Sequence, residues 1–406
     1  MKCACDSDQM AETSGSPRSA AWCVPGTGCM IDALSDDVLL HVISFLGARQ
    51  AVRTCVLSRR WRDLWRSACP INVSSEEVGG YTYFSRFVSR LLMLRDPVDL
   101  DEFRLSYGIP QHYLDSFELK VASAYANVWI SHVLRRNARS IQVDGFGDKL
   151  HLEPAVFTSK CLTSLQLSDV TLLPGFFRKL QAGCTKLEHL LLEKSVIDDA
   201  EISSQTLKVL NIESCHFAFD GLVSISAPSL VSFNFSGYHK IPLPSSLESL
   251  VTAWVFIGTH GDLVHDIRQF LTSISGVVNL EVYYEGDTLK TENNLQWCPK
   301  FNNLVVLTLD ESCLRANFYP LRVFLQNSPN LVKLTLQLEI GFRTYPKFTG
   351  EIEEIPFTCK HLEIVEIICI KDNGKEHLGL ELLGGYNRPY YIKRATHPAA
   401  MTHIQF

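Results

Sequence analysis

The feature that most constrains this fold is a six-residue frame, L-x-x-L-x-L with apolar equivalents, which recurs eleven times along the chain. Each frame predicts a short strand with two inward-facing side chains, and a period of roughly 20 to 29 residues is typical of leucine-rich repeats. Here consecutive frames begin 17 to 38 residues apart. They begin at Leu100, Ala138, Leu162, Leu187, Leu207, Leu230, Leu247, Val277, Leu304, Leu331 and Leu362.

Stacked frames of this kind predict an α/β solenoid of irregular leucine-rich repeats over residues 98–350. The copies share one continuous core, and the chain between them is expected to return by a helix or loop on the convex side. The helical segment "YFSRFVSRLLMLR" within residues 74–97 is predicted to link to the repeats or to cap them. Unrelated strands of an ordinary α/β domain would not place the same frame eleven times.

The concave side of the predicted solenoid is the candidate surface for a target. Residues that flank or separate the two inward side chains of a strand point to that side. Their mixed polar character suits recognition of another protein, although an ordinary solvated sheet has the same composition. The candidate target-binding residues are Gln142, Gln166, His189, Asn211, Asn234, Glu281, Tyr283, Thr308 and Thr335.

Residues 31–73 differ from the repeats and predict three short helices. Ser35 is placed to cap the first helix, a second fits "ARQAVRTCVL", and Ser58 is placed to cap a third, which Pro70 stops. A unit this small is marginal alone because folding removes little of its surface from water. It is therefore predicted to dock on another protein. The predicted apolar stripe of the first helix comprises Val38, Leu39, Val42, Phe45 and Leu46.

The charge pattern predicts no nucleic-acid partner. The chain has a formal net charge of -6, and four aspartates offset the six arginines of residues 31–73. Binding to phosphates normally requires a basic domain or stripe. No membrane contact is predicted either, since no apolar run approaches the ~20 residues of a membrane span.

The first 30 residues are rich in Ser, Gly, Pro and Ala and predict a disordered tail without the apolar core of a signal peptide. The thirteen cysteines are scattered singly and are expected to be free thiols. No catalytic motif and no cofactor or metal site is predicted, and His260 and His265 lack the one-turn spacing of a metal pair. The expected location is the nucleus or the cytoplasm.

The segment "LSDDVLLHVISFLGARQAVRTCVLSRRWRDLWRS" closely resembles the F-box of a large plant family that joins an F-box to leucine-rich repeats and often to an FBD segment. The resemblance assigns an F-box to residues 31–73. "NVWISHVLRRNARSIQV" is similar to the segment before an early repeat of that family. "IPFTCKHLEIVEIICI" resembles the start of the FBD segment, so residues 351–383 are interpreted as the last repeat with a partial FBD-like segment.

The resemblance implies a non-catalytic substrate-recognition subunit of a Skp-cullin-F-box ubiquitin ligase. The F-box would bind a Skp-type adaptor and through it a cullin, while the repeats would bind an unknown target for ubiquitination and degradation. The residues assigned to adaptor binding are Leu34, Ser35, Val38, Leu39, Ile43, Leu57 and Trp61.

Two departures from the family pattern leave an alternative open. The family usually has Leu-Pro where this chain has Leu34 and Ser35, which predicts weakened adaptor binding. Residues 384–406 lack the further apolar helix and strand of the family and form an atypical C-terminal tail. The alternative is a leucine-rich scaffold or inhibitor with a degenerate F-box. Such a protein would co-purify with other partners and without a cullin.

Overall fold

The computed structural model describes residues 31, 34–108, 116–147, 149–238, 240–258, 264–285, 298–310, 312, 315–340, 360–371 and 390–395. The predicted disordered tail of residues 1–30 lies outside these residues, as does most of the segments 351–383 and 384–406. Within the described part, three short helices precede a long, mostly parallel sheet, which confirms the predicted α/β fold.

The three amino-terminal helices form where the sequence predicts them. Ser35 caps the first helix, since its hydroxyl accepts a hydrogen bond from the Val38 amide at 3.5 Å. Asp36 and Asp37 lie in the first turn, where the positive end of the helix dipole favours them. The helices are α1 (Asp36–Ser44), α2 (Ala48–Arg53) and α3 (Trp61–Leu64).

Helix α3 is shorter than predicted. After Leu64 the chain tightens into three-residue turns, in which the Ala68 amide donates to the Trp65 carbonyl. The predicted cap at Ser58 is wrong, because α3 begins only at Trp61 and a cap must reach the second or third helical N–H. Among the described residues, the buried Ser58 hydroxyl has no hydrogen-bond partner.

The repeats build one 13-stranded sheet. Its neighbouring strands are parallel throughout, except for the last pair, which is antiparallel. In spatial order the strands are β1 (Ile71–Ser74), β2 (Glu102–Ser106), β3 (Ser140–Asp144), β5 (Ser164–Ser168), β7 (His189–Glu193), β10 (Val209–Glu213), β13 (Ser232–Gly237), β15 (Thr252–Gly258), β16 (Asn279–Glu285), β17 (Val306–Asp310), β18 (Lys333–Ile340), β19 (Ile364–Lys371) and β20 (Tyr390–Ala395).

The leucine frame predicts the register of most strands. In "LTSLQL" the first position and the L-x-L end are buried, as are their equivalents in neighbouring strands. The frame assigned at Leu247 is wrong by three residues. Strand β15 pairs Ala253 with Phe233 of β13, so the frame is "LVTAWV" beginning at Leu250. Leu250 is buried and Leu247 is only partly buried, which fits the corrected frame.

Both ends of the sheet differ from the simple repeat pattern. Strand β1 pairs in parallel with β2, and its buried Ile71 and Val73 match Phe103 and Leu105. The sheet therefore begins within the residues assigned to the F-box. At the other end, the strand β20 pairs antiparallel with β19. The atypical tail therefore contributes one strand, which closes the sheet without continuing the parallel repeat.

The layer behind the sheet contains short strands as well as the predicted helices and loops. These short strands occur in the intervals where consecutive frames begin 20 to 25 residues apart. The longer interval of 38 residues after Leu100 contains a 20-residue helix instead. The two small sheets comprise β4 (Leu150–Leu152), β6 (Val170–Leu172), β8 (Val196–Ile197) and β11 (His216–Phe217), and β9 (Glu201–Ser203), β12 (Ser224–Ser226) and β14 (Leu243–Ser246). The helices are α4 (Tyr81–Leu94), α5 (Ser116–Arg135), α6 (Phe176–Gly183), α7 (Val264–Ser273) and α8 (Arg315–Asn327).

One hydrophobic core runs through the helical unit and the repeats. Phe84 of α4, Tyr107 after β2 and Trp129 of α5 pack together, with ring centroids 4.9 to 5.9 Å apart. All three are almost fully buried. The helix predicted within residues 74–97 therefore packs on the first repeats.

Arg95 joins the helical unit to the repeats. It follows α4, and its guanidinium donates to the Ala68 carbonyl at 2.6 Å and to the Trp65 carbonyl at 3.2 Å. Next to it, the Ser67 hydroxyl donates to the Asp96 carboxylate at 2.7 Å. Burial lowers the pKa of Arg95, and its contact with Cys69 opposes this effect. We call these contacts the joint.

Candidate interaction surfaces

Helix α1 is apolar on two faces. Leu39 and Ile43 are buried in the core, one turn apart. An adjacent face carries a second apolar row at spacings of four, four and three residues, the spacing that aligns side chains on one side of a helix. This row comprises Leu34, which precedes the helix, and Val38, Val42 and Phe45. A surface helix normally has one apolar stripe, so the second row indicates a partner.

The second row is exposed, and two further exposed apolar residues follow α2 within the same helical unit. Phe45 is 77% exposed, while Val56 and Leu57 in the turn after α2 are 82% and 64% exposed. We call Leu34, Val38, Val42, Phe45, Val56 and Leu57 the helical strip. Six exposed apolar residues in one small helical unit make it a candidate interaction site.

The residues predicted to bind an adaptor divide between this strip and the core. Leu34, Val38 and Leu57 belong to the strip, and Ser35 caps α1. Leu39, Ile43 and Trp61 are 0%, 1% and 6% exposed, so the structure places these side chains in the core and we no longer assign them to the contact. The single stripe predicted for α1 is corrected in the same way, because it combines residues of both faces.

The arginines near α1 are partly neutralised by neighbouring acids. Arg60 forms an ion pair with Asp36 at 2.7 Å, and Arg66 forms one with Asp63 at 3.5 Å. Pairs this exposed contribute little to stability. They do lower the local positive charge, as the sequence predicts.

The second candidate surface is the side of the 13-stranded sheet that faces away from the core. We call it the open face, and it consists of three columns of side chains aligned by the strand register. The central column is Asn72, Arg104, Gln142, Gln166, Leu191, Asn211, Asn234, Trp254, Glu281, Thr308, Thr335 and Glu366. The carboxyl-end column is Ser74, Ser106, Asp144, Ser168, Glu193, Glu213, Ser236, Phe256 and Tyr283, continued by Asp310 and Gln337. The amino-end column is Glu102, Ser140, Ser164, His189, Val209, Ser232, Thr252, Asn279, Val306, Lys333 and Ile364.

The structure aligns most of the predicted target-binding residues. Seven of the nine share the central column: Gln142, Gln166, Asn211, Asn234, Glu281, Thr308 and Thr335. His189 and Tyr283 lie in the two flanking columns. Thr335 is only 5% exposed. Whether these residues contact a target stays a prediction.

Sequence analysis missed Trp254 and Phe256, which also lie on the open face. The frame assigned at Leu247 ended before both residues, whereas the frame at Leu250 places Trp254 in the central column. The inward residues Ala253 and Val255 would have revealed this frame, but they resemble leucine poorly.

Trp254, Phe256, Tyr283 and Tyr238 form a half-buried aromatic patch on the open face. The rings of Trp254 and Tyr283 are 5.4 Å apart, and those of Tyr238 and Phe256 are 5.3 Å apart. Phe256 is the direct register partner of Tyr283. Exposed Trp and Tyr side chains are enriched in protein interfaces, where they supply much contact area.

A carboxylate is fixed within this patch. The Tyr283 hydroxyl donates to Glu281 Oε1 and lies 2.8 Å from Gln337 Oε1, and Gln337 Nε2 lies 3.4 Å from the same Glu281 oxygen. Burial raises the pKa of Tyr283 most, and the hydrogen bond to Glu281 and the charges of Glu281 and Asp310 raise it further. The phenol therefore stays neutral and acts as a donor.

The open face is acidic. Its three columns carry seven carboxylates and two permanent cations within the described residues. Both cations are paired, Arg104 with Glu102 at 2.7 Å and Lys333 with Glu366 at 3.0 Å.

Further carboxylates gather in the carboxyl-end column. Burial raises the pKa of Asp144 most, the Phe146 amide opposes this, and the charges of Asp169 and then Glu193 raise it further. Burial also raises the pKa of Glu213 most, followed by the charge of Glu193. Lys194 pairs with Glu193 at 2.9 Å, and that hydrogen bond raises the lysine pKa. This end of the open face therefore holds more negative charge than its own side chains neutralise.

The described residues contain no group of His, Cys, Asp and Glu side chains that could hold a metal ion. Burial raises the pKa of Cys184 to about 11 and that of Cys215 to about 12, and it also raises that of Cys298. These thiols are protonated and therefore unreactive near neutral pH. None of the described helices is both long and apolar enough to span a membrane.

Comparison with known families identifies both parts of the chain. A model described as "F-box domain" matches residues 31–71, and one described as "At1g61320/AtMIF1, LRR domain" matches residues 114–356. The chain belongs to the F-box/leucine-rich-repeat family. The predicted resemblance is thereby confirmed, and the helical strip lies within the F-box.

Relatives from Arabidopsis thaliana cover most of this F-box/leucine-rich-repeat protein. F-box/LRR-repeat protein At4g14096 is 28% identical, with 77% of this chain and 74% of the relative covered. F-box/LRR-repeat protein 13 is 25% identical, over 76% of each. FBD-associated F-box protein At4g13985 is 25% identical, also over 76% of each. Relatives therefore occur with and without FBD in their names.

Proposed function

We propose that this protein is the substrate-recognition subunit of a Skp-cullin-F-box ubiquitin ligase. The F-box would bind a Skp-type adaptor through the helical strip, and the adaptor would bind a cullin. The open face of the repeats would hold the target protein. The observation that carries the proposal is the second apolar row of α1, which the chain's own core leaves exposed.

In this proposal the protein performs no chemistry itself. It holds the target near a ubiquitin-charged enzyme, which raises the effective concentration of target lysines there. The joint supports this role because it packs the F-box directly against the repeats, so that a bound target would keep a defined position. The protein would act in the nucleus or the cytoplasm.

Ser35 bears on the strength of adaptor binding. Its hydrogen bond to the Val38 amide, at 3.5 Å, is at the outer limit of such bonds. We therefore propose that Ser35 orders the start of α1 less firmly than a proline would, so that adaptor binding is weakened and retained.

Replacing Phe45 tests the adaptor contact. Phe45→Arg removes an exposed aromatic side chain and places a cation at the negative end of α1, which the helix dipole tolerates. Truncating an aromatic anchor at an interface typically costs about 2 kcal/mol or more, or roughly 30-fold in affinity. We expect a loss of this size in binding of the full chain to a recombinant Skp-type adaptor, measured by calorimetry.

Leu222→Arg is the matched control, because Leu222 is also an exposed apolar residue, at 69%, but lies in the repeats. It should bind the adaptor like the unchanged protein. Equal binding by Phe45→Arg would show that the helical strip is not the docking surface. Absence of adaptor binding by the unchanged chain would refute the ligase role and favour a repeat scaffold with a degenerate F-box.

A further inference from the structure

The aromatic patch and the unbalanced negative charge meet at one place on the open face. Glu281 is the register partner of Trp254, and its carboxylate accepts from the Tyr283 hydroxyl, so it is a neighbour of both aromatic residues. Both hydrogen bonds that fix it reach Oε1. Within the described part of the chain, no basic side chain pairs with Glu281.

Such a site has the chemistry of a cation receptor. A guanidinium or ammonium group is attracted to the faces of Trp and Tyr rings, most strongly where water is partly excluded. A carboxylate held in place next to those rings adds a hydrogen-bond acceptor without losing further side-chain freedom on binding. An acidic or phosphorylated segment would instead meet the carboxylates of the carboxyl-end column and be repelled.

We propose that the open face from β13 to β17 binds an arginine- or lysine-bearing extended segment of the target, with one cation resting on the exposed faces of Trp254 and Tyr283 beside Glu281. This inference rests on the proposed function, in which the repeats hold the target. It adds the chemistry of that target and the position of its principal contact.

The acidic residues outside the patch extend this surface along the sheet. Asp310 follows on the next strand, and Glu213 and Glu193 lie on the other side of β13 in the carboxyl-end column. Neighbouring strands are about 4.8 Å apart, so a segment crossing several strands passes a series of carboxylates. Further basic residues of the target would therefore bind more loosely along the same column.

The test uses the full chain and short peptides in which arginine alternates with glycine, with lysine and glutamate versions for comparison. Binding is measured by fluorescence anisotropy at low and at moderate salt. We expect the arginine peptide to bind more tightly than the lysine peptide, because guanidinium groups stack better on aromatic rings. Salt should weaken both, and the glutamate peptide should not bind.

Glu281→Gln removes one negative charge and keeps an oxygen that can accept from Tyr283. It should weaken binding of the arginine peptide by about fivefold, the size expected for a partly exposed charge contact. Glu248→Gln is the matched control, because it makes the same charge change in a turn outside the open face. It should change binding by less than about twofold.

Trp254→Leu provides a second variant, which removes the aromatic surface and keeps an apolar side chain. It should abolish the preference for arginine over lysine. Unchanged binding by Glu281→Gln, equal binding of the glutamate peptide, or no binding of the arginine peptide by the unchanged chain would each overturn the inference. Adaptor binding is measured on the unchanged chain and on both variants. Failure of the unchanged chain to bind the adaptor would refute the proposed function, whereas the peptide results alone decide this inference.

Discussion

The joint at Arg95 predicts a large and specific loss of stability when its guanidinium is removed. Arg95→Met keeps an unbranched apolar side chain close to the length of the arginine stem and deletes all of its donors. The Ala68 and Trp65 carbonyls, which accept from Arg95 at 2.6 and 3.2 Å, then lose their charged partner. These carbonyls lie in the turns that lead from α3 to β1, so the effect should be concentrated there.

The magnitude follows from two opposing terms. A hydrogen bond to a charged group contributes about 1.5–3 kcal/mol, so the two bonds together suggest roughly 3–6 kcal/mol. Removing a partly buried cation offsets part of this loss in stability, because the folded state no longer bears the free-energy cost of desolvating the cation. We expect a net loss of about 2–3 kcal/mol in the free energy of unfolding.

Urea unfolding of the full chain and hydrogen exchange measure the two aspects of this prediction. Arg90→Met is the control, because Arg90 lies on the same helix with an exposed side chain. Arg95→Met should unfold at lower urea and exchange faster in residues 61–74, whereas Arg90→Met should match the unchanged chain. If both variants unfold at the same urea concentration and exchange alike, the guanidinium does not hold the joint.

Two further predictions concern the helices. Leu39→Ala deletes a fully buried side chain and should lower the free energy of unfolding by about 2–4 kcal/mol, seen in thermal denaturation, while the folded fraction binds the adaptor with unchanged affinity. A weaker affinity of the folded fraction for the adaptor would show that Leu39 contributes to adaptor binding. Burial, followed by the charges of Arg136 and Arg135, lowers the pKa of His132 below its usual 6.5. The folded state therefore disfavours protonation, and stability should fall as pH drops below 6.5; in His132→Gln that part of the pH dependence should be absent. An identical pH dependence in both proteins would contradict the assignment.

The leucine frame predicts the repeats well because each copy encodes the same local structure. In "LTSLQL" and "LEHLLL" the inward positions are leucines, and the strands form where the frame places them. Prediction fails where the inward side chains are small or where two frames compete. Leu247 and Leu250 are three residues apart and both fit the first position, and only pairing with β13 decides between them.

The F-box shows a different limit. Val38 and Leu39 are adjacent apolar residues, and both are assigned from the sequence to the adaptor contact. The structure separates them, because Leu39 is buried while Val38 is 43% exposed. A side chain that packs in the core and one that contacts a partner are equally apolar, so only the fold distinguishes them. The strand β1 was missed for a related reason, since Pro70 indicates the end of a helix and gives no sign of the strand that follows.

Strand β1 joins the F-box directly to the solenoid, because the same few residues end one and begin the other. In the proposed ligase, the F-box would therefore be the fixed point from which the position of each repeat is set. Each repeat inserted or deleted would move everything beyond it by one strand spacing, about 4.8 Å. In the proposed ligase, the number of repeats before Trp254 would then select which lysines of a bound target come within reach of ubiquitin.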